Sequence, residues 1–201
     1  MGGTMIAESV EHHRHWPMPP KDGYTVDDLF TLPDLPPHTE LIDGSLVLVS
    51  PQRIFHTFAM DLLVNGLRRT SPPDLKVCRE MTVVLDRRNS PEPDICVLRA
   101  DAVKSRSQTR FEAADVLLAV EVVSPDSEAR DRDTKPHKYA AAGIPHFWLV
   151  EMAGETDHPV VQVYERGGAT GTYALTGIHH EHVKLTAPYD IDIDLTAIDE
   201  L

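Results

Sequence analysis

The sequence predicts an α/β or α+β fold in which a central mixed sheet is flanked by helices. Apolar residues recur at helical spacing over one long segment, 53–69. Three runs rich in apolar and β-branched residues follow it, at 77–85, 94–99 and 115–124, each of ordinary strand length. With a further helix and strand after them, this order of elements favours a sheet covered by helices.

The elements nearest the N-terminus are predicted from turn and capping patterns. Residues 1–20 are rich in His and Pro and predict a flexible arm, and residues 21–201 predict a single domain. Thr25, with Asp28 three residues later, is typical of a helix start. Asp43-Gly44 between two short apolar runs predicts a hairpin.

The long helix at 53–69 is predicted by one apolar stripe. Its members share a spacing of three or four residues: Phe55, Phe58, Ala59, Leu62, Leu63 and Leu67. The polar segment 101–112 is interpreted as a connection without regular structure.

The second half of the chain predicts one more helix and several strands. Arg130–Ala142 is predicted to be helical, closed by Gly143 and Pro145. Pro136 must lie in the first turn of that helix or kink it, because deeper in the helix it would remove a hydrogen bond. The predicted strands that follow are 147–151 and 160–166, and the tail 172–201 is interpreted as short β pieces and a terminal turn.

The net charge of −13 restricts the partners that the chain can bind. Proteins that grip long duplex DNA without sequence preference present a basic face, and the sequence has no Lys/Arg cluster of that kind. Either the positive charges gather around a site, or the substrate is not bulk DNA.

The two cysteines and the hydropathy predict the compartment. Cys78 and Cys96 lie inside predicted strands and are interpreted as buried free thiols, which are typical of a reducing cytoplasm. The N-terminus has no apolar signal core, and no run approaches the roughly 18 apolar residues of a membrane span. A cytoplasmic location without membrane contact is therefore expected.

Two acidic residues stand inside apolar strands. Asp94 begins the run Pro93-Asp-Ile-Cys-Val-Leu, and Glu121 lies within Val-Leu-Leu-Ala-Val-Glu-Val-Val. A carboxylate in a buried strand is costly unless it is paired, protonated or bound to a metal. With Lys135 following, the pair predicts a site.

These residues resemble the PD-(D/E)xK superfamily and, more narrowly, the Uma-type putative restriction endonucleases. The resemblance extends over residues 24–165. It rests on six pieces: Glu40-Leu-Ile-Asp-Gly, Ser50-Pro51 with His56, Pro93-Asp94, Val120-Glu121-Val-Val-Ser124-Pro125, Asp131…Lys135…Tyr139, and Gly143-Ile-Pro145-His-Phe-Trp148-Leu-Val. The resemblance implies a restriction-endonuclease-like core.

The resemblance also implies a site. Asp94, Glu121 and the Val122 carbonyl would bind Mg²⁺ or Mn²⁺, in keeping with the oxygen ligands that Mg²⁺ prefers. The standard motif would place a lysine at position 123, where this chain has Val123, and Lys135 would take its role. Glu40 resembles an additional acid that many members of this fold supply.

Structural interpretations compete with these roles. Asp94 could cap the entry of a strand, Glu121 could belong to a structural ion pair, and Glu40 could merely begin a hairpin. The remaining interpretations concern single residues. Lys138 is an alternative to Lys135, His56 is a surface or capping residue or else has a functional role, and Tyr139 and Trp148 are core residues.

Three functions are compatible with this pattern. The first is a metal-dependent endonuclease that hydrolyses phosphodiester bonds in nucleic acid, with DNA as the expected substrate. The second is a non-catalytic, dimeric accessory protein that retains the fold, and the third is a metal-dependent hydrolase of small nucleotides. A homodimer is expected because the acidic chain has many β segments that could pair with a second copy.

Overall fold

The computed structural model describes residues 18–49, 51–154 and 157–201. The predicted arm at 1–20 falls outside these ranges except for its last three residues, which are exposed. The boundary between an arm and a single domain stays a prediction.

The described residues form three α-helices and twelve strands, joined by short 3₁₀ turns and one π-helical turn at Arg130–Thr134. The helices are α1 (Val26–Thr31), α2 (Ile54–Thr70) and α3 (Lys135–Ala141). The strands are β1 (Glu40–Ile42), β2 (Ser45–Val47), β3 (Leu75–Arg79), β4 (Thr82–Val84), β5 (Ile95–Arg99), β6 (Arg110–Glu112), β7 (Val116–Val122), β8 (His146–Ala153), β9 (His158–Arg166), β10 (Tyr173–His179), β11 (His182–Leu185) and β12 (Ile191–Asp194).

Six of these strands form a central mixed sheet in the described part of the chain. Their order is β10-β9-β8-β7-β5-β3. Strands β7 and β8 are parallel, and every other neighbouring pair in the sheet is antiparallel. The connection between β7 and β8 contains the π-helical turn and α3, as a parallel crossover requires.

The sheet is covered on both faces, because alternate residues of its strands point to opposite sides. On one face, Leu63 and Leu67 of α2 pack in a core that includes Ile95 and Val120. On the other face, Tyr139 of α3 packs in a core that includes Cys96, Ala119 and Phe147. The predicted class, a central mixed sheet flanked by helices, is confirmed.

Two local predictions were wrong. The segment 77–85 is not one strand: Glu80 takes a left-handed conformation with φ of 48°, and the chain then leaves the central sheet. The segment after the break is β4, which pairs in parallel with β6.

Strand β6 lies inside 101–112, which was expected to lack regular structure. Three residues are too few to show a period in sequence, and β6 depends on its pairing and on the burial of Phe111.

The described helices include none that is both long enough and apolar enough to cross a membrane.

Candidate active site

A cleft opens where the start of β5 meets the end of β7. Its volume is about 370 Å³. Seven carboxyl groups line it, together with two permanently charged cations, Lys135 and Arg130, which leaves a formal excess of five negative charges. The acids are Glu40, Glu80, Glu92, Asp94, Glu121, Asp126 and Asp131. Such an excess makes the cleft a poor site for an anion unless a cation is bound there.

The pairing of β5 with β7 brings Asp94 and Glu121 together. Ile95 lies opposite Val120, so the register continued by one residue places Asp94 opposite Glu121. The Val122 N–H donates to Asp94 Oδ2 at 2.6 Å, and His56 Nε2 lies 3.0 Å from Asp94 Oδ1. Like charges on directly opposite residues repel each other, so this arrangement favours a bound cation.

Lys135 reaches Glu121 because the π-helical turn Arg130–Thr134, directly before α3, is wound more widely than an α-helix. The Lys135 N–H donates to the carbonyl of Arg130, five residues earlier. Pro136 has no N–H to give to the carbonyl of Arg132, and it occupies the first turn of α3, as predicted. Single π-helical turns are often found at functional sites.

The Lys135 ammonium is enclosed by carboxylates. Its Nζ lies 2.9 Å from Glu121 Oε2, 2.9 Å from Glu40 Oε1 and 3.5 Å from Asp131 Oδ1. Lys135 is only 5% exposed. A buried ammonium needs such partners, because an unpaired charge away from water is very unfavourable.

Glu40 is a buried member of the cluster. It is 2% exposed, and its Oε1 also accepts a hydrogen bond from the Glu92 N–H at 2.8 Å. The backbone bridge between Leu41 and Ser90 fixes β1 beside the segment that leads to Asp94. Glu40 is therefore not a solvated hairpin end, and the structure brings it to Lys135.

Burial dominates the protonation of these groups. It raises the pKa of Glu121 well above its usual range, an effect that Lys135 opposes and the neighbouring acids reinforce. Burial raises the pKa of Asp131 in the same way. For Lys135, burial lowers the pKa, but the carboxylates of Glu121, Glu40 and Asp131 outweigh it and leave the pKa raised. The ammonium thus stays charged while the cluster resists full ionisation of its acids.

The chemistry of the donors fits a hard divalent cation. Carboxylate oxygens are the ligands that Mg²⁺ and Mn²⁺ prefer, and Asp131 Oδ1 is buried without a hydrogen-bond donor. In the described ranges, no group of three or more acidic, His or Cys side chains is arranged to hold a metal ion by itself. Glu40 and Asp131 lie against Lys135, so the carboxylates that would hold a cation at the cleft are Asp94 and, on the opposite strand, Glu121.

Sequence analysis missed the contributions of three residues. The interpretation of His56 as a surface or capping residue was wrong, because it is 4% exposed and contacts Asp94. Tyr139 is a core residue, as expected, but its hydroxyl also donates to Glu121 Oε1 at 2.5 Å. Asp131 was noted only as part of the family pattern, although its spacing of four residues from Lys135 was a usable signal.

Lys138, the alternative to Lys135, lies elsewhere. Its Nζ contacts Asp43 Oδ1 at 2.5 Å, in the turn between β1 and β2. The Asp43 side chain is largely exposed, so this pair lies outside the buried cluster.

Comparisons with known proteins place this chain in a family. A crystal structure of a putative nuclease belonging to DUF820 from Anabaena variabilis has a similar fold, with a TM-score of 0.64 and 18% sequence identity. The alignment covers 88% of this chain and 92% of that one, and at this identity it shows the fold alone. A search of curated proteins gave no match. The sequence profile of the Uma2 family, described as "Putative restriction endonuclease", matches residues 26–197. Because this match spans most of the chain, the protein belongs to the Uma2 family.

Proposed function

We propose that the protein is a metal-dependent endonuclease that hydrolyses phosphodiester bonds in nucleic acid, with DNA as the expected substrate. The observation that carries the proposal is the juxtaposition of Asp94 and Glu121 across β5 and β7, with the Lys135 ammonium 2.9 Å from Glu121. Membership of a family described as "Putative restriction endonuclease" supports the same reaction.

The chain's own residues would divide the work between them. Asp94 and Glu121, with the Val122 carbonyl, would hold Mg²⁺ or Mn²⁺, which when bound supplies an acidified water and neutralises charge on the phosphate. The Val122 N–H and His56 fix the Asp94 carboxylate in place. Lys135 keeps a positive charge beside Glu121 that would stabilise the negative charge of the reacting phosphate. Glu40, which contacts Lys135, would position that ammonium.

A cleavage assay tests the proposal. We expect the full-length protein to cleave at least one member of a panel of single-stranded, duplex and branched DNA and RNA when Mg²⁺ or Mn²⁺ is present. A chelator should abolish cleavage, because the acids of the cleft repel the phosphate when no cation is bound. Hydrolysis of nucleoside phosphates but of no polymer would instead favour the small-nucleotide hydrolase, and no hydrolysis of any substrate would contradict both.

One observation favours the non-catalytic alternative. Lys135 is nearly inaccessible to solvent and has three carboxylate partners, which is also how a purely structural ion-pair network is built. Calorimetric titration of the protein with Mn²⁺ separates the two. A nuclease should bind the ion through Asp94 and Glu121, whereas a structural network should show no binding that depends on these residues.

We also propose that the protein acts as a homodimer in the cytoplasm. The free thiols of Cys78 and Cys96 support a reducing compartment. Strand β10 is one of the two outer strands of the central sheet and exposes Leu175 and Ile178, which supports pairing with a second copy.

Light scattering tests the dimer. We expect a mass of twice 22.4 kDa over a range of concentrations. Replacing Leu175 and Ile178 together with lysine should shift the mass towards the monomer, because like charges would meet at the paired edge. A wild-type monomer at every concentration would contradict the dimer, and a variant that stays dimeric would exclude β10 as the interface.

A further inference from the structure

Among the described residues of the cleft, Arg130 is the cationic side chain that has no carboxylate partner. It lies at the start of the π-helical turn and lines the cleft beside Asp131. Within the described residues it forms no ion pair, and its Nε is buried without a hydrogen-bond acceptor. A buried guanidinium donor without an acceptor is unfavourable, so the site calls for an anionic oxygen.

The other cation of the cleft, Lys135, would stabilise the reacting phosphate through its charge, but its ammonium already has partners within the protein and is not placed to hold a phosphate by direct contact. Lys135 has Glu121, Glu40 and Asp131 as partners, which compensate its charge within the protein. Arg130 is half-buried, and its charge is uncompensated by any partner in the described ranges. In a cleft with an excess of negative charge, Arg130 is the cation that can contact a phosphate without giving up a carboxylate partner.

The next arginine in the chain shows what a structural role looks like. Arg132, two residues later, pairs with Glu151 Oε1 at 2.7 Å and with Glu128 Oε1 at 2.9 Å. It does not line the cleft. Two arginines of one turn thus differ in their surroundings: the acids around Arg132 satisfy it, and those around Arg130 do not.

We propose that Arg130 binds a backbone phosphate of the nucleic-acid substrate and holds it beside Asp94 and Glu121. The inference rests on the proposed function and names the contact by which an acidic protein binds a polyanion. A planar guanidinium offers parallel N–H groups that match two phosphate oxygens. The contact reads no base, so it contributes to affinity for any sequence.

Binding of a labelled oligonucleotide tests the assignment separately from cleavage. Anisotropy of a fluorescein-labelled DNA is measured with the full chain in Ca²⁺, for the wild type, Arg130→Gln, Arg130→Lys and Arg132→Gln. We expect Arg130→Gln to weaken binding roughly ten- to a hundredfold, as loss of a charge-assisted hydrogen bond should. The salt slope, which is the slope of the logarithm of the binding constant against the logarithm of the salt concentration, should become less steep by about 1. The affinity of Arg130→Lys for DNA should lie between those of the wild type and Arg130→Gln, because lysine keeps the charge but lacks the parallel N–H groups of the guanidinium.

The control and the stability readout complete the test. Arg132→Gln should bind DNA within about twofold of wild type, since Arg132 does not line the cleft and its loss breaks only exposed ion pairs. Arg130→Gln should unfold at the wild-type temperature, because no ion pair is lost. Equal affinity and salt slope for Arg130→Gln and wild type, or no binding by the wild type, would overturn the assignment. If DNA binding depends on Arg130 but no cleavage occurs, the assignment of Arg130 is upheld and the proposed nuclease activity is overturned. If cleavage occurs and does not depend on Arg130, the nuclease activity is upheld and the assignment of Arg130 is overturned.

Discussion

Lys135→Met is expected to destabilise the protein by about 3–5 kcal/mol at neutral pH, the cost of removing one partner of a buried ion pair. The change leaves the carboxyl groups of Glu40, Glu121 and Asp131 buried without their cation. Cleavage should be lost as well, whereas binding of Mn²⁺ should persist because the ammonium competes with the ion for the same acids. Urea denaturation and calorimetry measure the two effects.

The pH dependence of this destabilisation follows from the buried acids. Burial raises the pKa of Glu121 and of Asp131 in the folded protein above their ordinary values of 4.5 and 3.8. A raised pKa contributes stability that is fully present below the ordinary value and is lost as the pH rises through the folded value. Without the ammonium, the pKa values of Glu121 and Asp131 rise further. The loss in free energy of unfolding caused by Lys135→Met should therefore be smallest at acidic pH and grow towards neutrality.

Lys138→Met is the matched control. It removes a lysine from the same helix, but the partner Asp43 is largely exposed, so the loss should stay below about 1 kcal/mol. If the two variants are equally stable at neutral pH, the buried cluster does not stabilise the fold in the way its geometry indicates.

Asp94→Asn and Glu121→Gln are each expected to reduce metal-dependent cleavage by roughly a thousandfold or more. A bound metal supplies several kcal/mol of charge stabilisation, and about 1.4 kcal/mol corresponds to tenfold in rate. Both replacements keep the shape of the side chain and an oxygen acceptor. In Asp94→Asn the side-chain amide oxygen can still accept from the Val122 N–H, so the fold should survive. Initial rates over a range of Mg²⁺ and Mn²⁺ concentrations measure the effect.

The two variants also distinguish a metal site from a structural ion pair. In a metal site, both should weaken Mn²⁺ binding. In a structural network, Glu121→Gln would change the free energy of unfolding through its contacts with Lys135 and Tyr139 and leave Mn²⁺ binding as it was. Wild-type cleavage rates in both variants would refute the assignment of the site.

Local patterns were sufficient for the elements that carry the site. The Asp-Gly turn, the apolar stripe of α2 and the β-branched runs of β5 and β7 are local signals, and each element was predicted within a few residues. The acids inside two apolar strands were visible for the same reason, since the contrast between a carboxylate and its apolar neighbours lies within one short segment.

Contacts between distant segments needed the tertiary structure. His56 resembled a surface residue because its partner Asp94 lies on another element, and β6 was missed because its pairing partner β4 is remote in sequence. Arg130 and Arg132 are indistinguishable as letters, and only the folded protein pairs one with acids and leaves the other facing the cleft.

The sequence by itself therefore determined the class of fold, the order of the principal elements and the types of residue in the candidate site. The tertiary structure decided which of those residues meet. Register and helix packing set the pairing of Asp94 with Glu121 and the enclosure of Lys135 by Glu40, Glu121 and Asp131. The physical reason is that propensity and periodicity act over a few neighbouring residues, whereas register is selected by the burial of whole strand faces.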